Sequence, residues 1–147
     1  MQFAEARRSP GWIVLLATII GLAFGGYTFI SRAQSTHIYV QSCGILDYKP
    51  SVIFKTCADG NLGISNIEWE AWSESGARGK ALYFFNKCLP DCATGKRFAS
   101  EVTVTLTGDT PLTLIDGKRA FNHIAVKTHD KKLLPYSSSN TDSWDLT

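Results

Sequence analysis

Four cysteines, three histidines, two closely spaced glutamates and a cluster of tryptophans are the side chains whose types and spacing could do chemistry. The cysteines are Cys43, Cys57, Cys88 and Cys92. A four-thiolate zinc site needs two close C-x2-4-C pairs. Here only Cys88 and Cys92 are close, with three residues between them, whereas thirteen separate Cys43 from Cys57. A thioredoxin-type dithiol has two intervening residues and opens a helix, but Cys92 leads through Ala93-Thr94-Gly95 toward a strand. An even count in a small exported domain reads instead as two disulfides. Four cysteines allow three pairings, and sequence cannot choose between them. The favoured one is Cys43–Cys57, around a turn at Tyr48-Lys49-Pro50, with Cys88–Cys92 around Leu89-Pro90-Asp91. Each ring is worth on the order of 2–3 kcal/mol by loop entropy.

The acid–base groups are sparse. A serine-type triad needs a histidine, a nucleophile and an acid brought together. His37, His123 and His129 exist, as do Ser65, Ser73 and Ser75, but no G-x-S-x-G elbow surrounds a serine. His123, mid-strand between Asn122 and Ile124, reads as an edge or surface histidine, and His129-Asp130 as an exposed pair. Glu68 and Glu70 stand two apart on a strand and so share a face at roughly 7 Å. A retaining glycosidase instead sets its carboxyls about 5–5.5 Å apart across a sugar site. Asp59, in Cys57-Ala58-Asp59-Gly60-Asn61, offers one carboxylate and an amide beside it, where calcium takes six to eight oxygens. No metal site, no cofactor and no enzymatic activity are therefore expected. The alternative is a small envelope hydrolase using His123 or Glu68/Glu70. Trp69 and Trp72, with Tyr83, Phe84 and Phe85, form the densest aromatic cluster. Three residues apart on a strand, the two tryptophans are expected on opposite faces. Core packing is the plain reading of both, but an exposed indole can stack on sugars or partners, so Trp69 and Trp72 are the binding candidates.

The elements that must position these groups read as β. Ser51–Thr56 is β-branched and aromatic, and Asp59-Gly60-Asn61 is a turn signal. In Ile64–Trp72, Ile67, Trp69 and Ala71 alternate with Glu68 and Glu70. A Ser/Gly loop, Ser73–Gly79, precedes the apolar run Lys80–Asn86. Glu101–Thr107 alternates most cleanly, with Val102, Val104 and Leu106 inward. Short strands at Pro111–Ile115 and Ala120–Thr128 follow, separated by an Asp116-Gly117 turn. The expected fold is mainly β, a small antiparallel β-sandwich or barrel stapled by two disulfides. The Cys…Trp…Cys spacing is not that of an immunoglobulin domain. Lys131–Thr147, rich in Ser, Asn and Asp, reads as a loose polar tail that Trp144 either anchors or leaves in solvent.

The chain has 147 residues and 16.2 kDa, room for one domain. Its composition, 44% hydrophobic and 12% aromatic, is that of a folded protein. Its net charge of +2 argues against a nucleic-acid partner. Gly11–Ile30 is twenty residues without a charge, about the length an α-helix needs to cross a bilayer. Arg7 and Arg8 precede it and only Arg32 follows closely. The positive-inside rule then puts residues 1–10 in the cytoplasm, 11–30 in the membrane as an uncleaved signal anchor, and the rest outside. Residues 31–36 form a linker, 37–130 an extracytoplasmic β domain and 131–147 the tail. In the competing reading the segment is a signal peptide, because Ser31-Arg32-Ala33 permits cleavage after Ala33. Beyond the anchor the chain carries twelve basic and twelve acidic residues, so the positive excess belongs to the membrane flank.

Taken together, Cys57-Ala58-Asp59-Gly60-Asn61, Ile67-x-Trp69-x-x-Trp72, Ala77-x-Gly79, Asn86-x-Cys88-x-Pro90-x-Cys92-Ala93-x-Gly95-Lys96 and Val102–Leu106 form a pattern over residues 49–128. It resembles a family of small exported actinobacterial proteins, mostly uncharacterised, with an N-terminal signal, anchor or lipoprotein segment before a β-rich domain. The resemblance implies an extracytoplasmic compartment and disulfides; it carries over no catalytic residues. Many relatives have a proline before the Val-Thr-Val strand, where this chain has Ser100-Glu101. The expected function is a non-enzymatic binding or interaction module at the cell envelope. It would be held to the membrane by residues 11–30, with an envelope protein or glycan as partner.

Overall fold

The computed structural model describes residues 10–35, 37–111 and 117–147. They form two units, a helix and a β domain that begins at His37. The helix, α1, runs Pro10–Ser35, with proline at the position where its missing N–H costs nothing. Within it Gly11–Phe29 is long and apolar enough to cross a membrane, and no part of that stretch is buried in the protein. A membrane anchor and a signal peptide both fit this helix. Residues 1–9 of the expected cytoplasmic segment 1–10 lie outside the described residues, as do 112–116, which include most of the expected Pro111–Ile115 strand.

The β domain is one curled mixed sheet. Its strands are β1 (Ile38–Ser42), β2 (Ile45–Asp47), β3 (Ile53–Phe54), β4 (Leu62–Ser73), β5 (Gly76–Asn86), β6 (Arg97–Pro111), β7 (Arg119–Thr128) and β8 (Thr141–Asp145). The order is β2-β1-β7-β6-β5-β4-β3, with β8 also on β7. Every pairing is antiparallel except β1 with β7, where Ile38–Val40 run parallel to Arg119–Phe121. Further along β7, His123–Lys127 take β8. The N-terminal and C-terminal strands of the domain thus share one strand's hydrogen-bonding groups.

The core lies on the inner face. Val102, Val104 and Leu106 are fully buried, as their alternation requires, and meet Ile38, Val40, Ile53, Ile64, Phe121, Ile124 and Val126. The far ends of the sheet curl toward each other. The Phe54 amide of β3 donates to Ser42 Oγ of β1 at 3.1 Å, and the Ile67 amide of β4 donates to the Ser51 carbonyl at 3.1 Å.

Three expectations are corrected. The Ser73–Gly79 loop is a tight hairpin: β4 runs to Ser73, β5 restarts at Gly76, and Ser73 Oγ donates to the Gly76 carbonyl. The strand expected over Ser51–Thr56 is only Ile53–Phe54. The polar end of the chain is not loose, because Thr141–Asp145 forms β8 and Leu134 is buried. Half-buried Asp142 and Trp144 alternate with exposed Thr141, Ser143 and Asp145, as an edge strand requires, but the segment is too short and polar for its pattern to stand out.

Candidate functional site

All four cysteines are paired, Cys43 with Cys57 and Cys88 with Cys92. The first bond, with a Cα–Cα distance of 5.2 Å, ties the β1–β2 turn to the residues after β3. The second closes a ring between residues four apart in the chain. Asn86, nearly fully buried, holds this ring. Its Oδ1 accepts from the Cys88 amide at 3.1 Å, and its Nδ2 donates to the Cys92 carbonyl at 2.8 Å. Asp91 accepts the amides of Ala93 and Thr94 at 2.9 and 2.8 Å. The Thr94 amide, followed by its hydroxyl, holds the Asp91 carboxyl below the usual carboxylate range. Asp59, the calcium candidate, likewise serves a turn. The Thr56 hydroxyl and then the Asn61 amide lower its pKa. Among the described residues no three His, Cys, Asp or Glu side chains gather to hold a metal ion.

The two tryptophans do not face opposite ways. Their rings stand edge to face, 4.8 Å apart, and both pack against the core. The cause is an extra residue in β4. Trp69 pairs with Gly79 and Ala71 with Arg78, so Glu70 bulges and the alternation inverts. Ala71, expected inward, is exposed, and Trp72 turns in to meet Phe121 at 5.4 Å. Gly79 is required beneath this bulge, since a Cβ there would come within 2.5 Å of the Glu68 carbonyl oxygen. Each indole N–H is engaged: Trp69 donates to the Pro50 carbonyl at 2.9 Å and Trp72 to the Ile38 carbonyl at 3.2 Å. The pair thus fastens β4 to the segments on either side of β2.

The acid–base candidates lie on the outer side of the curled sheet or in its connections. Glu70 pairs with Lys80 at 3.2 Å, and Glu68 stands opposite Lys80 in the strand register. His123 Nδ1 lies 2.8 Å from Asp145 Oδ1, both exposed. Its cross-strand neighbour on β6 is Thr107. His37 stacks on Tyr48 at 4.4 Å, and His129 opens a 3-10 turn, His129–Lys131.

Sequence reasoning missed two arrangements. In the first, Lys55 from beyond β3 bonds both carboxylate oxygens of Asp142 on β8 at 2.7 Å, and the Tyr83 hydroxyl of β5 donates to the same carboxylate at 2.9 Å. The Lys55 ammonium also lies 5.3 Å from the Trp144 ring centroid. Burial, and then the hydrogen bond to Asp142 with its charge, pushes the Tyr83 hydroxyl well above its usual pKa. This network joins β5 and β8 to the residue that follows β3, across the curl. The second is a groove of about 890 Å³ on the outer face of β5–β8, lined by Arg78, Thr103, Thr105, Lys127, Thr141 and Ser143 among others. The register explains it: Arg78, Thr105, Ala125 and Ser143 form one cross-strand row, and Lys80, Thr103, Lys127 and Thr141 the next. The Thr-x-Thr repeat in β6 was the legible signal; its partners come from strands far apart in sequence.

Comparison with protein-family models, with curated proteins and with solved structures finds no match to this chain.

Proposed function

We propose that the chain is a membrane-anchored, extracytoplasmic binding module whose ligand is a hydroxyl-rich, anionic envelope glycan, taken up in the groove over β5–β8. One observation carries this reading. Four hydroxyls, on Thr103, Thr105, Thr141 and Ser143, line one open groove with the cations Arg78 and Lys127. Hydroxyls exchange hydrogen bonds with sugar hydroxyls, and guanidinium and ammonium groups bind carboxylate or phosphate. The apolar helix, the two disulfides and the resemblance to small exported actinobacterial proteins support placement outside the cytoplasm. In this reading α1 remains as the anchor; the alternative is release after Ala33.

The test is co-sedimentation of the full chain, reconstituted in liposomes, with purified envelope polysaccharides, alongside the Arg78→Ala/Lys127→Ala variant. Binding that weakens at least tenfold in the variant supports the reading. Binding of no polysaccharide, or equal binding by both proteins, overturns it. The intact mass from native membrane or medium decides the anchor, since a chain starting at Gln34 would make the protein free.

The hydrolase alternative has one observation in its favour, the His123–Asp145 contact with Thr107 next in the row. A histidine oriented by a carboxylate is part of a triad, and Asp145 was not foreseen as its partner. Loss of a deletion strain's complementation by His123→Ala, with binding intact, would establish it.

A further inference from the structure

The outer face carries a second hollow, of about 570 Å³, between β3 and the start of β6. Its wall is aromatic. Phe54 and Phe84 meet edge to face at 6.1 Å, and Phe54 remains 39% exposed. Val52 and Ala99 extend the apolar lining. Phe54, Gly63, Phe84 and Ala99 form one cross-strand row. Gly63 is the floor of that row and cannot carry a side chain: a Cβ there would lie 2.5 Å from the Ile53 carbonyl oxygen and 3.2 Å from the Phe84 ring. The open floor beneath the two rings is therefore built into the backbone.

Two polar groups stand at this apolar hollow, Arg97 and Ser65. Arg97 is exposed, and among the described residues it makes no ion pair. The acidic Glu101 lies two positions along β6 from Ala99 and lines a different hollow, with Lys80 and His129. A volume of this size, apolar walls and one convergent cation match a small-molecule site. An unpaired guanidinium selects a carboxylate by its two-pronged geometry.

We infer that this hollow binds an acyl carboxylate, with the chain lying against Phe54 and Phe84 and the head on Arg97. The site is separate from the groove and stands whether the protein is anchored or released. The test is photo-crosslinking of the full chain, in non-ionic detergent, with a diazirine-bearing long-chain fatty acid, the adducts being mapped by peptide mass. Saturable adducts on the Val52–Phe54 or Phe84 peptides are expected, competed by unlabelled fatty acid and not by the matching fatty alcohol. Arg97→Gln should lower labelling at least tenfold, the size of a lost charge-assisted hydrogen bond. Ala99→Trp, an exposed position opposite Phe84, should fill the hollow and abolish labelling while both disulfides still form. Adducts confined to α1, equal competition by the alcohol, or unchanged labelling of either variant would overturn the inference.

Discussion

The curl of the sheet is secured at a seam, and the Cys88–Cys92 loop projects from one end of it; both carry a disulfide, yet the bonds do different work. At the seam, Cys43–Cys57 joins segments fourteen residues apart, and Lys55, Tyr83 and Asp142 add contacts between positions up to 87 residues apart. At the loop, Cys88–Cys92 spans four residues, and its supports Asn86 and Asp91 are its sequence neighbours, with one longer reach from Asn61 Nδ2 to Cys92 Sγ at 3.4 Å. The seam fixes which strands meet. The loop fixes chiefly its own shape. A local ring can form before the sheet does, whereas the seam depends on closing long loops.

The largest effect should come from the seam disulfide. Cys43→Ser/Cys57→Ser is expected to lower stability by about 3 kcal/mol, the loop-entropy value for a ring of some fifteen residues, read as a shift of the urea midpoint. Next comes Asp142→Ala, which leaves Lys55 and the Tyr83 hydroxyl without their shared acceptor. A loss of about 2–3 kcal/mol is expected, and proteolysis within the last fifteen residues should accelerate as β8 detaches. If Asp142→Ala cost no more than a surface change, the seam would be held by the disulfide alone. The loop variant Cys88→Ser/Cys92→Ser should cost about 2 kcal/mol, with amide exchange rising only near residues 86–96. A spread of the exchange into β8 would erase the distinction between the two regions.

Alkaline pH probes the seam more finely. The Tyr83 hydroxyl has its pKa raised in the folded protein, first by burial and then by Asp142. The neutral phenol is therefore the form that folding favours. Its contribution is complete below the ordinary tyrosine value near pH 10 and is lost as pH climbs above that value. Melting temperatures across pH 8–11 should fall less steeply for Tyr83→Phe than for the parent. The smallest effect belongs to His123→Ala on the outer face. Its contact with Asp145 is largely exposed, so a change below about 1 kcal/mol is expected by the same urea titration.

Much of the molecule was legible without tertiary structure. Twenty uncharged residues at 11–30 specify an apolar helix, because backbone hydrogen bonds in a helix close within the segment itself. Val102, Val104 and Leu106 specify a buried face, because side chains alternate along any strand. The spacing of the cysteines favoured the pairing that formed, since each bond closes the shorter available loop. What the tertiary structure alone decided depends on partners distant in the chain. Trp72 faces inward because β4 gains a residue against β5, an event that no period within β4 records. Thr141–Asp145 is a strand because β7 offers it an edge, whereas its own composition is that of a loop. Asp142, Lys55 and Tyr83 converge because the sheet curls, and the Thr103–Thr105 face becomes a groove only when Arg78, Lys127 and Ser143 arrive on neighbouring strands. Local periodicity is written residue by residue; the choice of neighbour is a sum over the whole sheet and exists only once it has formed.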